Sequence, residues 1–186
     1  SCCKAKRLLN VDSEEEGIFT VGCAGGIRVQ ADIPMRREPK SGLCLDFKFQ
    51  GILGGHSGIE INNGLANANA LTGRFFMALK KVCDFEIITL SGGVKENVIP
   101  KDAQFSLLVS QADLAVVEKE LADFNTEIKA EYAAADPNAT LVMASAGVSD
   151  AYVLDNDSMD KLITALNLMP NGVQAMSADM EGLVQT

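Results

Sequence analysis

The periodicity of the sequence becomes regular at Leu43-Cys44-Leu45-Asp46-Phe47-Lys48-Phe49-Gln50. Its apolar residues at 43, 45, 47 and 49 alternate with polar residues at 46, 48 and 50, and successive side chains of a strand point to opposite faces. The alternation therefore predicts a strand that is buried on one side. The residues before it, 35–42, are polar and contain proline and glycine, which predicts a turn there.

Beyond this strand the periodicity changes between helix and strand in a definite order. Asn62 and Asn63 are candidate caps for a helix whose apolar residues are spaced three and four apart: Ala68, Leu71, Phe75, Leu79 and Val82. Asn67 and Asn69, at the start of this helix, are expected to be capping and packing residues rather than site residues. Strands are predicted at residues 85–90 and 103–109. A second helix follows, with the stripe Leu114, Val117, Leu121, Phe124, Ile128 and Tyr132, and it stops at Asp136-Pro137-Asn138. Residues 141–146 predict the next strand.

The order strand, helix, strand, strand, helix, strand predicts an α+β fold of ferredoxin-like (βαββαβ) design, with an antiparallel sheet and the helices on one face. This core is expected at about residues 43–149. A further helix is predicted at residues 157–169, with Asp157 or Ser158 as its cap, and residues 150–186 are expected to start a second lobe. Short apolar runs at residues 7–11 and 18–21 predict two strands on either side of an acidic turn, and the glycines at residues 22–26 predict a domain boundary.

Composition excludes several classes of protein. The 186 residues are 47% hydrophobic and 22% charged, which is typical of a globular chain with one sizeable core. The net charge of -9 disfavours nucleic acid and anionic membranes as partners, and 5% aromatic residues without tryptophan disfavour a base-stacking surface. No apolar run is long enough to span a membrane, so a cytoplasmic protein is expected.

Cysteine and histidine limit the possible metal chemistry. The five cysteines are odd in number and predict neither a disulfide framework nor a zinc knuckle. His56 is the one histidine, whereas a zinc enzyme normally uses two or three imidazole ligands. The chain is therefore not expected to complete a metal centre alone.

Three residues are candidates for chemistry. Asp12 follows an apolar run, at the carboxyl end of a predicted strand, and is a hard oxygen donor suited to zinc; a solvated acidic turn at residues 12–16 is the alternative. His56 lies in Gly54-Gly55-His56-Ser57-Gly58, where glycines allow a close backbone approach and the imidazole can donate a hydrogen bond to developing oxyanion charge; a surface-loop histidine is the alternative. Asn97 precedes a strand, and its amide either binds substrate or satisfies its own turn.

Several of these stretches together resemble the cytosolic aminoacyl-histidine dipeptidases, within the di-zinc peptidases that include carnosinases and aminoacylases. The matching blocks run in family order along the chain: Leu9-Asn10-Val11-Asp12-Ser13-Glu14-Glu15-Glu16-Gly17, Val21-Gly22-Cys23-Ala24-Gly25-Gly26, Gly54-Gly55-His56-Ser57-Gly58-Ile59-Glu60-Ile61, Gly64-Leu65-Ala66-Asn67-Ala68-Asn69, Asn97-Val98-Ile99-Pro100 and Pro170-Asn171-Gly172-Val173.

The resemblance implies a two-domain enzyme in which a zinc-binding catalytic domain is interrupted by an enlarged lid or dimerisation domain. Residues 1–24 would be the end of a catalytic-domain segment, and residues 25–186 would be the lid. By the same resemblance Asp12 is a ligand of one of two zinc ions, His56 reaches the scissile carbonyl when the lid closes, and Asn97 contacts the substrate. The expected partners are the catalytic domain of the same polypeptide, a short peptide such as an aminoacyl-histidine, and a second subunit if the lid forms a homodimer.

The sequence also departs from the family. The remaining zinc ligands and the general-base glutamate have no counterpart in these residues, so the isolated chain is expected to be inactive and to hold no tight zinc. Residues 105–109 lack the arginine that holds the substrate carboxylate in many relatives. A non-catalytic ferredoxin-like module for self-association and a small-ligand-binding module are the two alternative functions.

Overall fold

The computed structural model describes residues 6–7, 16–17 and 25–185, and the chain forms two compact units, residues 1–31 and 32–186. In the first unit, Glu16 and Gly17 lie in a turn, and residues 25–31 have no regular secondary structure. Of the two strands predicted here, residues 18–21 and all of residues 7–11 except Arg7 lie outside the described residues.

The second unit contains six strands and three α-helices within the described part of the chain. They are β1 (Arg37–Gln50), β2 (Gly55–His56), α1 (Ala68–Leu79), β3 (Phe85–Gly92), β4 (Val98–Ile99), β5 (Ala103–Val109), α2 (Leu114–Glu131), β6 (Thr140–Leu154) and α3 (Asn156–Leu168). Two short 3-10 helices, Ile61–Asn63 and Gln111–Asp113, precede α1 and α2. No helix among the described residues is long and apolar enough to cross a membrane.

The four long strands form one antiparallel sheet in the order β3-β5-β1-β6, and β2 and β4 form a separate ribbon. Strand β1 is central, because Leu43 pairs with Val109 of β5 on one side and with Val148 of β6 on the other. With α1 and α2 as the two crossovers, this is the βαββαβ arrangement, so the predicted ferredoxin-like α+β fold is confirmed.

The helices cover one face of this sheet. The odd-numbered β1 residues Leu45, Phe47 and Phe49 are buried in a core that also takes side chains from all three helices, among them Phe75, Phe124 and Ile163. Phe105 of β5 lies at its centre, with its ring centroid 4.9 Å from those of both Phe47 and Phe76. The opposite face carries a much smaller apolar cluster of Cys44, Leu108 and Val153.

The predicted turn at residues 35–42 is wrong, because residues 37–42 continue β1 and pair with β6 from Arg37↔Leu154 to Gly42↔Ser149. Strand β5 ends opposite Leu43, so this half of β1 has a hydrogen-bonded neighbour on one side only. Pro39, which lacks an N–H, is tolerated in such a position. Lys40 adds an ion pair to β3, with Nζ 2.8 Å from Glu86 Oε1.

Strand β6 is longer than the predicted 141–146, since it reaches Leu154. The register shifts opposite Cys44 and Leu45, where Ala146 is the extra residue beside Gly147, whose φ is +88°. A β-bulge of this kind accommodates one unpaired residue and lets the ladder continue. Buried Val153, Leu154, Met159 and Ile163 then join the core clusters of the sheet. The predicted domain boundaries, including a lobe beginning at residue 150, stay predictions.

The caps predicted at Asn62 or Asn63 and at Asp157 or Ser158 are wrong, whereas the capping role predicted for Asn67 is confirmed. Asn62 and Asn63 lie in the 3-10 helix, and the cap of α1 is Asn67, whose Oδ1 accepts hydrogen bonds from the amides of Asn69 and Ala70 at 3.0 and 3.2 Å. Helix α1 ends at Leu79, so the exposed Val82 does not extend its apolar stripe. The cap of α3 is Asp155 rather than Asp157 or Ser158, because its Oδ1 accepts from the Ser158 amide at 2.9 Å.

Candidate functional site

A short ribbon carries two of the three predicted site residues. Strand β2 pairs antiparallel with β4, so that Gly55 lies opposite Ile99 and His56 lies opposite Val98. The Ser57 amide then donates a hydrogen bond to the Asn97 carbonyl at 3.1 Å. The ribbon thus places His56 and Asn97, which are 41 positions apart in the sequence, at neighbouring exposed positions.

The imidazole of His56 is oriented by its own loop. Its Nδ1 accepts hydrogen bonds from the backbone amides of Gly58 at 3.0 Å and Ile59 at 3.3 Å. A nitrogen that accepts from N–H groups carries no proton itself, so the neutral imidazole has its proton on Nε2. The ring is exposed, and Nε2–H is therefore a donor held at the end of a fixed side chain.

The glycines of this loop differ in conformation and surroundings. Gly54 has a φ of +67°, a conformation that residues other than glycine rarely adopt, whereas Gly55 and Gly58, for which positive φ was also predicted, do not have one. An added Cβ at Gly55 would lie 2.8 Å from Glu60 Oε2 and 3.0 Å from Leu65 Cδ1, so the ends of these side chains would have to move. The loop therefore closes tightly on the chain that follows it.

Glu60 is a part of the site to which the sequence pattern assigns no role. Its Oε2 accepts from the His56 amide at 2.7 Å, and its own amide donates to the His56 carbonyl at 2.9 Å. These two bonds fix the backbone of His56 on both sides of its Cα. The sequence contains one signal for this role, because Glu60 is the next carboxylate after His56 and lies four positions further along the chain.

The third predicted site residue, Asp12, lies outside the described residues. Within residues 6–7, 16–17 and 25–185, no three histidine, cysteine, aspartate or glutamate side chains come close enough together to hold a metal ion. These residues therefore do not fit a zinc centre by themselves, and the chemistry that they offer is hydrogen-bond donation from His56 and Asn97.

A groove of about 690 Å³ lies beside the same loop, between residues 61–65 and the segment from Asn171 to Gly182. Asn171 also accepts a hydrogen bond from Asn67 at 2.7 Å, which joins the groove to the start of α1. The groove is lined by Ile61, Asn62 and Tyr132 among others, whereas His56 and Asn97 are not part of its lining. The groove therefore does not support a catalytic role for His56.

Comparison with known proteins agrees with this fold. Residues 48–136 match the model of the peptidase dimerisation domain family, a range that runs from the end of β1 to the turn after α2 and includes the His56 loop. The chain is also 39% identical to the cytosol non-specific dipeptidase of Escherichia coli (strain K12), over 98% of this chain and 38% of that protein. The chain thus spans less than two fifths of the length of this curated relative.

Among solved structures, the aminoacylhistidine dipeptidase of Vibrio alginolyticus matches with a TM-score of 0.74 and 28% sequence identity, over 83% of this chain and 31% of that one. The sequence resemblance to dipeptidases of this kind is therefore confirmed, and the match of residues 48–136 to a dimerisation-domain model agrees with the predicted lid or dimerisation domain.

Proposed function

We propose that this chain is the lid or dimerisation domain of a dipeptidase, which the match of residues 48–136 to the peptidase dimerisation domain model and the 39% identity to a dipeptidase support. In the complete protein this lid closes over a hydrolytic centre that acts on short peptides, aminoacyl-histidine among them. His56 then donates a hydrogen bond from Nε2 to the oxygen of the scissile carbonyl. Asn97, beside it on the β2–β4 ribbon, binds another oxygen of the peptide.

The observation that carries this proposal is the pair of backbone amides bonded to Nδ1 of His56. They select the tautomer with Nε2–H and fix the direction of that bond before substrate arrives. When an amide bond is attacked, its carbonyl oxygen gains negative charge, and a donor already in place stabilises that charge without reorganising. An imidazole on an exposed ribbon can reach such an oxygen once the lid has closed.

Zinc belongs to the proposal through the resemblance alone. Two ions in the complete enzyme would supply an activated water, with Asp12 as one ligand and the others outside this sequence. The described residues do not fit a zinc centre by themselves. The steps assigned to this chain are carbonyl polarisation by His56 and substrate positioning by Asn97.

The proposed partners are the catalytic domain of the same polypeptide, a second subunit bound through the lid, and the peptide substrate. The family description names dimerisation, which supports the second of these. The net charge of -9 supports the absence of nucleic acid and membrane partners. The name of the E. coli relative supports a cytoplasmic location.

Kinetics of the complete gene product test the catalytic role against a purely structural one. His56→Ala should lower kcat by about a hundredfold or more, since removal of one oxyanion donor typically costs that much. Lys95→Ala, a change at an exposed position two residues before Asn97, is the matched control and should leave kcat unchanged. An unchanged kcat in His56→Ala, with a change only in subunit association, would support the non-catalytic module instead.

A further inference from the structure

We propose that Asp136 is a positioning residue for His56, because its buried carboxylate holds both ends of the loop that carries the imidazole. This inference rests on the proposed function in one respect, namely that the position of His56 matters for turnover. In the sequence pattern, Asp136 marks only the end of a helix.

The carboxylate makes two long-range contacts. Oδ1 accepts a hydrogen bond from the Leu53 amide at 2.7 Å, and Oδ2 accepts one from the Ala66 amide at 2.8 Å. These amides lie on either side of the segment that contains β2, His56 and the 3-10 helix Ile61–Asn63. One side chain therefore closes the His56 loop at its base.

Burial makes these contacts hard to replace. Asp136 is 1% exposed, and its neighbours Ile52, Ala66 and Ala139 are buried apolar residues. Hydrogen bonds from amides to a carboxylate are among the strong ones, and a buried amide left without its acceptor loses its full desolvation energy. Water has little access to the Ala66 contact, which is buried, whereas the Leu53 contact is only partly buried.

The turn that carries Asp136 is itself fixed between two elements. The Asp136 amide donates to the Tyr132 carbonyl at the end of α2, and the Ala139 amide donates to the Asp136 carbonyl just before β6. On the other side, Gly51 has a φ of +76°, and an added Cβ there would lie 2.0 Å from the Asn138 carbonyl oxygen. The two segments are in direct contact, so the carboxylate transmits the position of α2 and β6 to the loop.

A general stabilising role would have a different consequence from a positioning role. Loss of a residue that only stabilises the fold lowers the protection of all core amides together. Loss of a residue that holds one loop frees the amides of that loop while the rest of the sheet stays protected. The Gly58 and Ile59 amides report the second case directly, since they bond to the imidazole.

Amide hydrogen exchange by NMR on the 186-residue chain separates these cases, with Asp136→Asn compared against Asp155→Asn. The control makes the same chemical change at another aspartate that accepts from a backbone amide, the cap of α3. Asp136→Asn should speed exchange at Gly58 and Ile59 on the order of tenfold, and the resonances of the single imidazole should shift. Asp155→Asn should leave both unchanged. Equal effects of the two variants on the loop would overturn the inference.

Turnover of the complete gene product gives the second test. Asp136→Asn should lower kcat with little change in KM, and it should cause no further loss in a His56→Ala background, because a residue that acts through another is not additive with it. A full further loss in that background would overturn the inference. If His56→Ala itself leaves kcat unchanged, the proposed function fails, and the exchange experiment still decides whether Asp136 holds the loop.

If Asp136→Asn fails to fold, the unmutated chain still provides a test. The Leu53 amide should exchange slowly although its side chain is 63% exposed, because its acceptor is a buried carboxylate. Exchange of the Leu53 amide at the rate of an unprotected amide would contradict the proposal.

Discussion

The Gly58 backbone amide donates a hydrogen bond to Nδ1 of His56 at 3.0 Å, across two positions in the sequence. This contact orients the imidazole, because it selects the tautomer of the one histidine in the chain and fixes the ring. The motif alone does not explain the glycine at position 58, whereas the close approach of its amide to the imidazole does.

Gly58→Ala should disturb the imidazole without disturbing the fold. An added Cβ at this position would lie 3.2 Å from Cε1 and 3.3 Å from Nδ1 of His56, and the exposed ring can yield by moving. We expect a shift of the imidazole resonances with an unchanged melting temperature in the chain, and a fall in kcat in the complete gene product. Gly26→Ala is the matched control, since an added Cβ there has no neighbour within 4 Å. An unchanged imidazole spectrum in Gly58→Ala would show that the ring is not held as described.

Phe105→Ala should cost about 3–5 kcal/mol of unfolding free energy, the usual range for a fully buried phenylalanine. Phe105 is 2% exposed and lies between the rings of Phe47 and Phe76 at the centre of the core. Urea denaturation of the chain measures the effect. Leu168→Ala, at a side chain that is 76% exposed, should change the same quantity by less than about 0.5 kcal/mol. Similar losses in both variants would contradict the location of the core.

Asn67→Ala should destabilise the chain by about 1–2 kcal/mol, because the side chain caps α1 and also bonds to Asn171. Asn67→Asp keeps an oxygen for the Asn69 and Ala70 amides and should remain close to the unmutated protein in urea denaturation. If Asn67→Asp were as destabilising as Asn67→Ala, the cap would not be the main contribution.

Asp155 gives the chain an acid-sensitive helix cap. Hydrogen bonds from the Ser158 hydroxyl, and then from the Ser158 amide, hold the pKa of Asp155 below its ordinary value of 3.8. A carboxyl with a lower pKa in the folded state stabilises the fold above its unfolded pKa, and this contribution is lost as the pH falls through the folded value. The melting temperature of the unmutated chain should therefore fall faster than that of Asp155→Asn below about pH 4. If the melting temperatures of the two proteins fell equally with pH, the Asp155 carboxyl would not stabilise the fold in this way.

Local patterns predicted the elements and their order, because alternation in residues 43–49 and 103–109 and the stripes of α1 and α2 reflect which face is buried. These patterns did not predict the ends of elements that depend on pairing with another strand. Residues 37–42 are polar and become strand only because β6 extends past Ala146 and Gly147 to pair with them. For the cap of α1 the sequence offered several asparagines, Asn67 among them, and only the backbone conformation selects Asn67.

The same distinction applies to the site. His56 and Asn97 were predicted from motifs, and their proximity follows from the β2–β4 ribbon, which is too short to leave a periodic signal. Asp136 was interpreted as a helix stop, which describes its backbone correctly. Its carboxylate contacts lie 83 and 70 positions away in the sequence, at Leu53 and Ala66, and no local pattern records them.

Inhibition by a phosphinic-acid dipeptide analogue, which copies the tetrahedral intermediate, tests the role of His56 most directly. If Nε2–H stabilises charge that develops only during attack, His56→Ala in the complete gene product should weaken binding of the analogue by about a hundredfold while KM for the dipeptide changes less than about threefold. Equal weakening of analogue and substrate, or no weakening of either, would contradict the account.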